Sequence, residues 1–186
     1  MHINLDLLSA ILQNENGNVI EIGAGEGFNT RALCSLEFVE KVIVIDPFEN
    51  CWDDPDIDNS YTRPYPLQNW INTIGEFGKK VILVQKRSDD SDVFGILNKI
   101  SNFIFCFVDG IQRKENIIND LLLCDSLKVK TICLDDWSRV SDISQVKEGT
   151  MEFLKNNSKY EILANTEHNI GTGSVRDLCF LRRKEN

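Results

Sequence analysis

The sequence predicts an α/β fold: one doubly wound, mostly parallel seven-stranded sheet with helices on both faces and an antiparallel C-terminal hairpin strand. Three observations lead there. Short apolar runs alternate with segments whose apolar residues recur at helical spacing, the order of βαβ units. Two runs, Val42–Ile45 and Phe103–Val108, are continuously apolar, as in strands covered on both faces. Residues 160–167 and 176–183 flank the Gly-containing segment NIGTGS, as the arms of a hairpin would.

Each element follows from its local pattern. Leu5, Leu7, Leu8, Ile11 and Leu12 mark an amphipathic helix over 4–14. Strands are expected at 19–22, 41–46, 81–85, 103–108 and 130–134. Helices are expected at 28–38, 67–77, 91–100, 113–125 and 144–156. In the helix over 113–125, Ile117, Ile118, Leu121 and Leu122 are expected to face inward. Residues 47–66 break the pattern with all four prolines and four aromatics. A loop of that length inside a compact domain is usually functional, so it is the candidate substrate or lid loop. No second domain is expected: residues 1–186 form one unit, with 1–17 carrying the N-terminal helix.

Composition narrows the function classes. The formal charge of −9 argues against nucleic-acid phosphates and anionic membranes as partners. The N-terminus lacks the basic region and long apolar core of a signal peptide, and no run is long enough to span a bilayer. A cytoplasmic protein is expected. The six cysteines form no C-x-x-C pair, and Cys34, Cys106, Cys124, Cys133 and Cys179 fall in apolar runs or helical patterns, so buried thiols are expected rather than a disulfide framework or a zinc site.

Chemistry is expected at the carboxyl ends of the strands. The first strand runs into EIGAGEGFNT, where Gly23, Gly25 and Gly27 form G-x-G-x-G. Glycine permits positive φ and close backbone approach, and the helix N-terminus beyond it attracts anionic groups. Asp46 closes the second strand, where a carboxylate can accept hydrogen bonds from ribose hydroxyls. The dinucleotide fingerprint would put a third glycine at Phe28, which weakens a nicotinamide-dependent oxidoreductase as an alternative.

The stretch VIEIGAGEGFNT followed by KVIVIDPF resembles the cofactor-binding half of class I S-adenosylmethionine-dependent methyltransferases, a Rossmann-like family. The resemblance implies S-adenosyl-L-methionine as cofactor. Its binding set would be Glu21, Gly23, Ala24, Gly25, Gly27, Asn29, Asp46, Pro47, Phe48, Arg87, Ser88 and Asp109. Asp46 would hold the ribose, and Arg87 and Ser88 would lie near the adenine.

The fourth strand ends VDG and the fifth ends LDDW. If those strands are neighbours, Asp109 meets Asp135 and Asp136. Three converging carboxylates repel unless protonated or bound to a cation, and an all-oxygen set suits a hard divalent ion. The pattern VDGIQRKENIIND…ICLDDW is similar to the macrocin-type, metal-dependent O-methyltransferases, which act on hydroxyls of sugars and sugar-bearing metabolites. That similarity implies Asp109, Asp135 and Asp136 as ligands of Mg²⁺ or Mn²⁺, matches Glu115 and Asp120 to helix positions of the family, and implies a sugar or glycan acceptor. It departs at Ile111 and Gln112, where the family usually has an acid and a histidine. The candidate catalytic residues are then Asp109, Lys114 and His168. That departure also supports a non-catalytic, cofactor-binding module as an alternative. A homodimer is compatible with the sequence.

Overall fold

Apolar alternation along the strands builds a core on each face of one sheet. The computed structural model describes residues 5–12, 15–48, 67–137, 144–169 and 175–184, the side chains of 166–169 and 175–176 excepted. In chain order the elements are α1 (Leu5–Leu12), β1 (Gly17–Ile22), α2 (Phe28–Ser35), β2 (Val39–Ile45), α3 (Leu67–Ile74), a 3₁₀ segment (Gly75–Lys80), β3 (Val81–Val84), α4 (Val93–Leu97), β4 (Phe103–Val108), α5 (Lys114–Ser126), β5 (Thr131–Leu134), α6 (Val146–Asn156), β6 (Tyr160–Asn169) and β7 (Val175–Arg183).

The seven strands lie in the order β3-β2-β1-β4-β5-β7-β6. All pairings are parallel except β5 with β7 and β7 with β6. The order reverses between β1 and β4, which opens a crevice at their carboxyl ends. The register then sets what meets there. Ile22 pairs with Ile45 on one side and Val108 on the other, and Val108 pairs with Leu134. Gly23, Asp46, Asp109 and Asp135, each the next residue in its chain segment, therefore leave the sheet at one level.

Successive strand residues point to opposite faces. Ile20, Ile22, Ile43, Cys106, Val108, Ile132 and Leu134 pack with Val93 and Leu97 of α4, Ile117 and Leu121 of α5, and Phe153 of α6. Val19, Val42, Val44, Phe105, Phe107 and Cys133 pack on the other face with Leu8 and Leu12 of α1, Leu33 of α2 and Trp70 of α3. The five described cysteines are free and buried. Burial pushes the Cys34 thiol up to about 11 and Cys179 to about 12, so neither is a reactive thiolate at neutral pH.

Several boundaries differ from expectation for local reasons. α2 stops at Ser35 rather than 38, because Leu36 is already extended. α3 stops at Ile74, where Gly75 takes φ 49° and the chain tightens into the 3₁₀ segment. α4 covers Val93–Leu97 only. In α5 the inward face holds Ile117, Asp120, Leu121 and Cys124, whereas Ile118 is half-buried and Leu122 is 48% exposed. The inward stripe is thus rotated from the expected one and carries a carboxylate. Residues 49–66, most of the candidate substrate loop, lie outside the described residues.

Candidate functional site

The glycine turn is shaped by both φ and space. Gly23, Gly25 and Gly27 have φ of 83°, 51° and 86°, a region that disfavours residues with a Cβ. A Cβ on Gly23 would lie 2.3 Å from the Asp109 carbonyl oxygen, and one on Gly27 would lie 2.8 Å from the Trp70 ring. The turn is therefore pressed between the end of β4 and α3. Gly23 N–H also donates to the Ile45 carbonyl at 3.0 Å, which fixes the turn to the end of β2.

Asp46 closes that junction. Its Oδ2 accepts the Ala24 N–H and its Oδ1 accepts the Phe48 N–H, each at 2.7 Å. One side chain thus ties the glycine turn to the loop after β2. A carboxylate has about four acceptor positions, so two remain for hydroxyl donors such as those of a ribose. Phe28, where a dinucleotide fingerprint would have glycine, begins α2 and is 53% exposed. Asn29, in the first turn of α2, is buried. Pro47 accepts a hydrogen bond from Gln85 at 3.3 Å through its carbonyl.

Beneath the turn, Trp70 Nε1 donates to Thr30 Oγ1 at 3.1 Å, and the Thr30 hydroxyl donates to Glu21 Oε2. Glu21 and Thr30 are fully buried. The Phe48 ring meets Trp70 with centroids 5.4 Å apart. Thr30 and Trp70 belong to the site although no motif marks them. Their only signal was a polar residue early in α2 and an indole on the inward stripe of α3.

In the loop after β3, Arg87 makes two bonds to the Asp89 carboxylate, at 3.0 and 3.1 Å, which hold that carboxyl below its usual range. Ser88, in the same loop, is half-buried, and Asp120 on α5 is buried.

At the ends of β4 and β5 stand the three aspartates. The strands are neighbours, and Asp135 N–H donates to the Val108 carbonyl at 3.1 Å. Asp135 and Asp136 are 1% and 7% exposed, and Asp109 is half-buried. Burial, then Asp135, Cys179 and Asp109, push the Cys133 thiol well up, so the fields of both carboxylates reach the same strand. Asp136 has φ 52°, and its Oδ2 accepts from Gln112 Nε2 at 2.9 Å. Asp177, at the start of β7, is also buried here, and its carbonyl accepts the Trp137 N–H at 3.0 Å. Sequence reasoning missed Asp177, because only the antiparallel placement of β7 beside β5 brings it to this end.

Among the described residues, no three His, Cys, Asp or Glu side chains are grouped as a metal-binding set. Asp109, Asp135 and Asp136 share one sheet end without converging as ligands, and Asp136 is already held by Gln112. The described geometry therefore does not fit a closed cation site.

Lys114, the candidate base on α5, faces α6. Its ammonium lies 2.7 Å from Glu152 and 3.1 Å from Glu148 on α6. Those two carboxylates raise its pKa, so it keeps its proton. His168 lies in β6, in register with Arg176 of β7. A cavity of about 440 Å³ lined by Ile118, Leu122, Asp125, Phe153 and Lys159 shares no residue with this site. Among the described residues, no helix is long and apolar enough to cross a membrane.

No protein-family profile matches the chain, and no curated protein matches its sequence. Solved structures do match its fold. An rRNA methylase from Streptococcus thermophilus is 13% identical, with TM-score 0.62, over 97% of this chain and 94% of that one. The N-methyltransferase NodS from Bradyrhizobium japonicum is 10% identical, with TM-score 0.64, over 97% and 93%. TrmK from M. capricolum, in complex with S-adenosyl-homocysteine, is 12% identical, with TM-score 0.62, over 100% and 70%. At these identities the likeness establishes the fold alone, an α/β fold that these structures share.

Proposed function

We propose that the protein is an S-adenosylmethionine-dependent methyltransferase that methylates a hydroxyl of a sugar, glycan or glycosylated small molecule. The observation that carries the cofactor reading is the Asp46 clamp, whose two oxygens each hold a backbone N–H beside a left-handed glycine turn. That arrangement leaves acceptor positions for ribose hydroxyls. The glycines give the turn the positive φ and the close fit against β4 and α3 that shape it beside Asp46. A solved structure of the same fold that contains S-adenosyl-homocysteine adds support.

The cofactor, when bound, supplies a sulfonium methyl group and leaves as a neutral thioether. The acceptor oxygen forms the new O–C bond, and its proton must go elsewhere. Asp109 is the residue proposed to take it, because it follows β4 and its backbone abuts Gly23. Asp46 and the glycine turn hold the donor in line, and positioning of this kind supplies a large part of such a rate. The sugar acceptor and the choice of oxygen rest on the similarity of VDGIQRKENIIND…ICLDDW to macrocin-type enzymes.

A divalent cation, Mg²⁺ or Mn²⁺, at Asp109, Asp135 and Asp136 is a separate part of the proposal. Its support is the chemistry of three acidic oxygen donors. The described side chains do not form a ligand set, so no step is routed through the ion. Transfer of labelled methyl from S-adenosylmethionine to a panel of glycosides, with and without EDTA, tests both parts. Turnover abolished by EDTA and restored by Mn²⁺ supports the cation. Equal turnover in EDTA removes it and leaves a metal-independent methyltransferase.

A non-catalytic, cofactor-binding module is the second reading. Gln112 favours it, since an amide bonded to Asp136 stands where the similar enzymes have a histidine. Cofactor binding with no transfer to any acceptor selects it.

A further inference from the structure

Asp46 and Trp70 close a ring of contacts beside the glycine turn. Asp46 holds the turn at Ala24 and the loop after β2 at Phe48, with one carboxylate oxygen for each. Trp70, near the start of α3, meets the same two segments. Its ring centroid lies 5.4 Å from that of Phe48, and a Cβ on Gly27 would come within 2.8 Å of the indole. Phe48 is the strained member of this ring. Its φ is 52°, which a residue with a bulky side chain keeps only where its surroundings impose it. Two contacts hold it there, the N–H bond to Asp46 and the Trp70 ring. The indole is itself held from below. Its N–H can only donate, and the Thr30 hydroxyl accepts it. The single Thr30 proton then goes to Glu21. Trp70, Thr30 and Glu21 are all buried, so the indole stands on a fixed base.

We propose that Trp70 is a positioning residue for the Asp46 carboxylate: its ring holds Phe48, Phe48 N–H holds Asp46 Oδ1, and the indole so sets where the remaining acceptor positions of Asp46 point. The inference rests on the S-adenosylmethionine reading above, in which those positions receive ribose hydroxyls. An acid that ends the second strand of a sheet with this strand order stands where a ribose is received. Trp70 is assigned no contact with the reacting atoms. Its loss leaves Asp46 in place but free to turn, so the bond to a ribose hydroxyl weakens while the rest of the ligand is bound as before. A general loosening of the fold would instead weaken all ligands alike. A ligand that lacks one ribose hydroxyl separates the two cases.

The test is calorimetric binding of S-adenosylhomocysteine and of its 2′-deoxy analogue to wild type, D46A, W70L, W70F and F48A. Wild type is expected to prefer S-adenosylhomocysteine by about tenfold, the scale of one hydrogen bond to a charged acceptor. D46A is expected to lose that preference. W70L removes one ring of the pair and F48A, at a half-buried position, removes the other; each is expected to cut the preference to about twofold. W70F keeps a ring against Phe48 and is expected to keep most of the preference, although it loses the bond to Thr30. In the D46A background, W70L is expected to change the preference no further. Three results overturn the inference while leaving the cofactor reading intact: a wild-type preference in W70L and F48A beside a lost one in D46A, equal losses of preference in W70F and W70L, or affinities for both ligands that fall together with their ratio unchanged. F48A alone decides should W70L fail to fold. A wild-type protein that binds neither ligand overturns the cofactor reading itself, and this inference with it.

Discussion

A carboxyl group enclosed by apolar side chains makes stability depend on pH, and Asp120 defines the window. Its pKa is about 7 in the folded protein against an ordinary 3.8, chiefly through burial. Between those values the unfolded chain has released the proton and the folded chain still holds it. Stability therefore falls as pH rises from about 4 to 7, on a scale of at most about 4 kcal/mol for a three-unit shift. D120N removes this penalty. Denaturant melts of wild type and D120N are expected to lie close together at pH 4.5 and to separate by pH 8, with D120N the more stable. Curves that stay parallel across that range would show that Asp120 does not titrate this way. How legible each residue was follows from its chemistry. Asp46 and the three glycines sit in a motif whose spacing reflects what a bound ribose and a tight turn require. Asp120 matched a family helix position, but its burial was hidden because the stripe expected on α5 ran through Ile118 and Leu122. The ion pairs of Lys114 with Glu148 and Glu152 were not legible, because α6 lies far along the chain.

Among the elements, the glycine turn and α3 act as one unit. Gly27 has φ 86° and its added Cβ would meet the Trp70 ring at 2.8 Å, while Trp70 also donates to Thr30. Gly75 has φ 49° with nothing within 4 Å of its added Cβ. The two glycines therefore separate strain from crowding. G75A should cost about 1 kcal/mol, from the left-handed backbone alone. G27A adds a clash with a buried ring and should cost about 2 kcal/mol more. Chemical denaturation of both variants checks the difference, and equal losses would mean that Trp70 yields without cost. The existence of these elements was readable from apolar periodicity, because burial on the sheet imposes it. Their ends were not. Leu36 and Gly75 end helices through backbone conformation, and apolar spacing carries no record of that.

For the whole molecule, strand order and register decide which chemistry meets. The order β3-β2-β1-β4-β5-β7-β6 puts the ends of β1, β2, β4 and β5 at one level, where Gly23, Asp46, Asp109 and Asp135 emerge. Alternating strands and helices implied a doubly wound sheet, and the neighbouring placement of β4 and β5 follows from its topology rather than from any local run. Asp177 shows the complementary limit: it reaches the same end only because β7 runs antiparallel to β5. The net charge of −9 is the ground on which a phosphate-rich acceptor is disfavoured in the proposed function. The cofactor seat at Asp46 remains the central claim. Isothermal titration of wild type and D46A with S-adenosylhomocysteine tests it most directly. Wild type is expected to bind one equivalent, and D46A to lose about tenfold or more in affinity, as expected for hydrogen bonds to a charged group. Wild type that shows no binding, or D46A that binds as tightly, would contradict it.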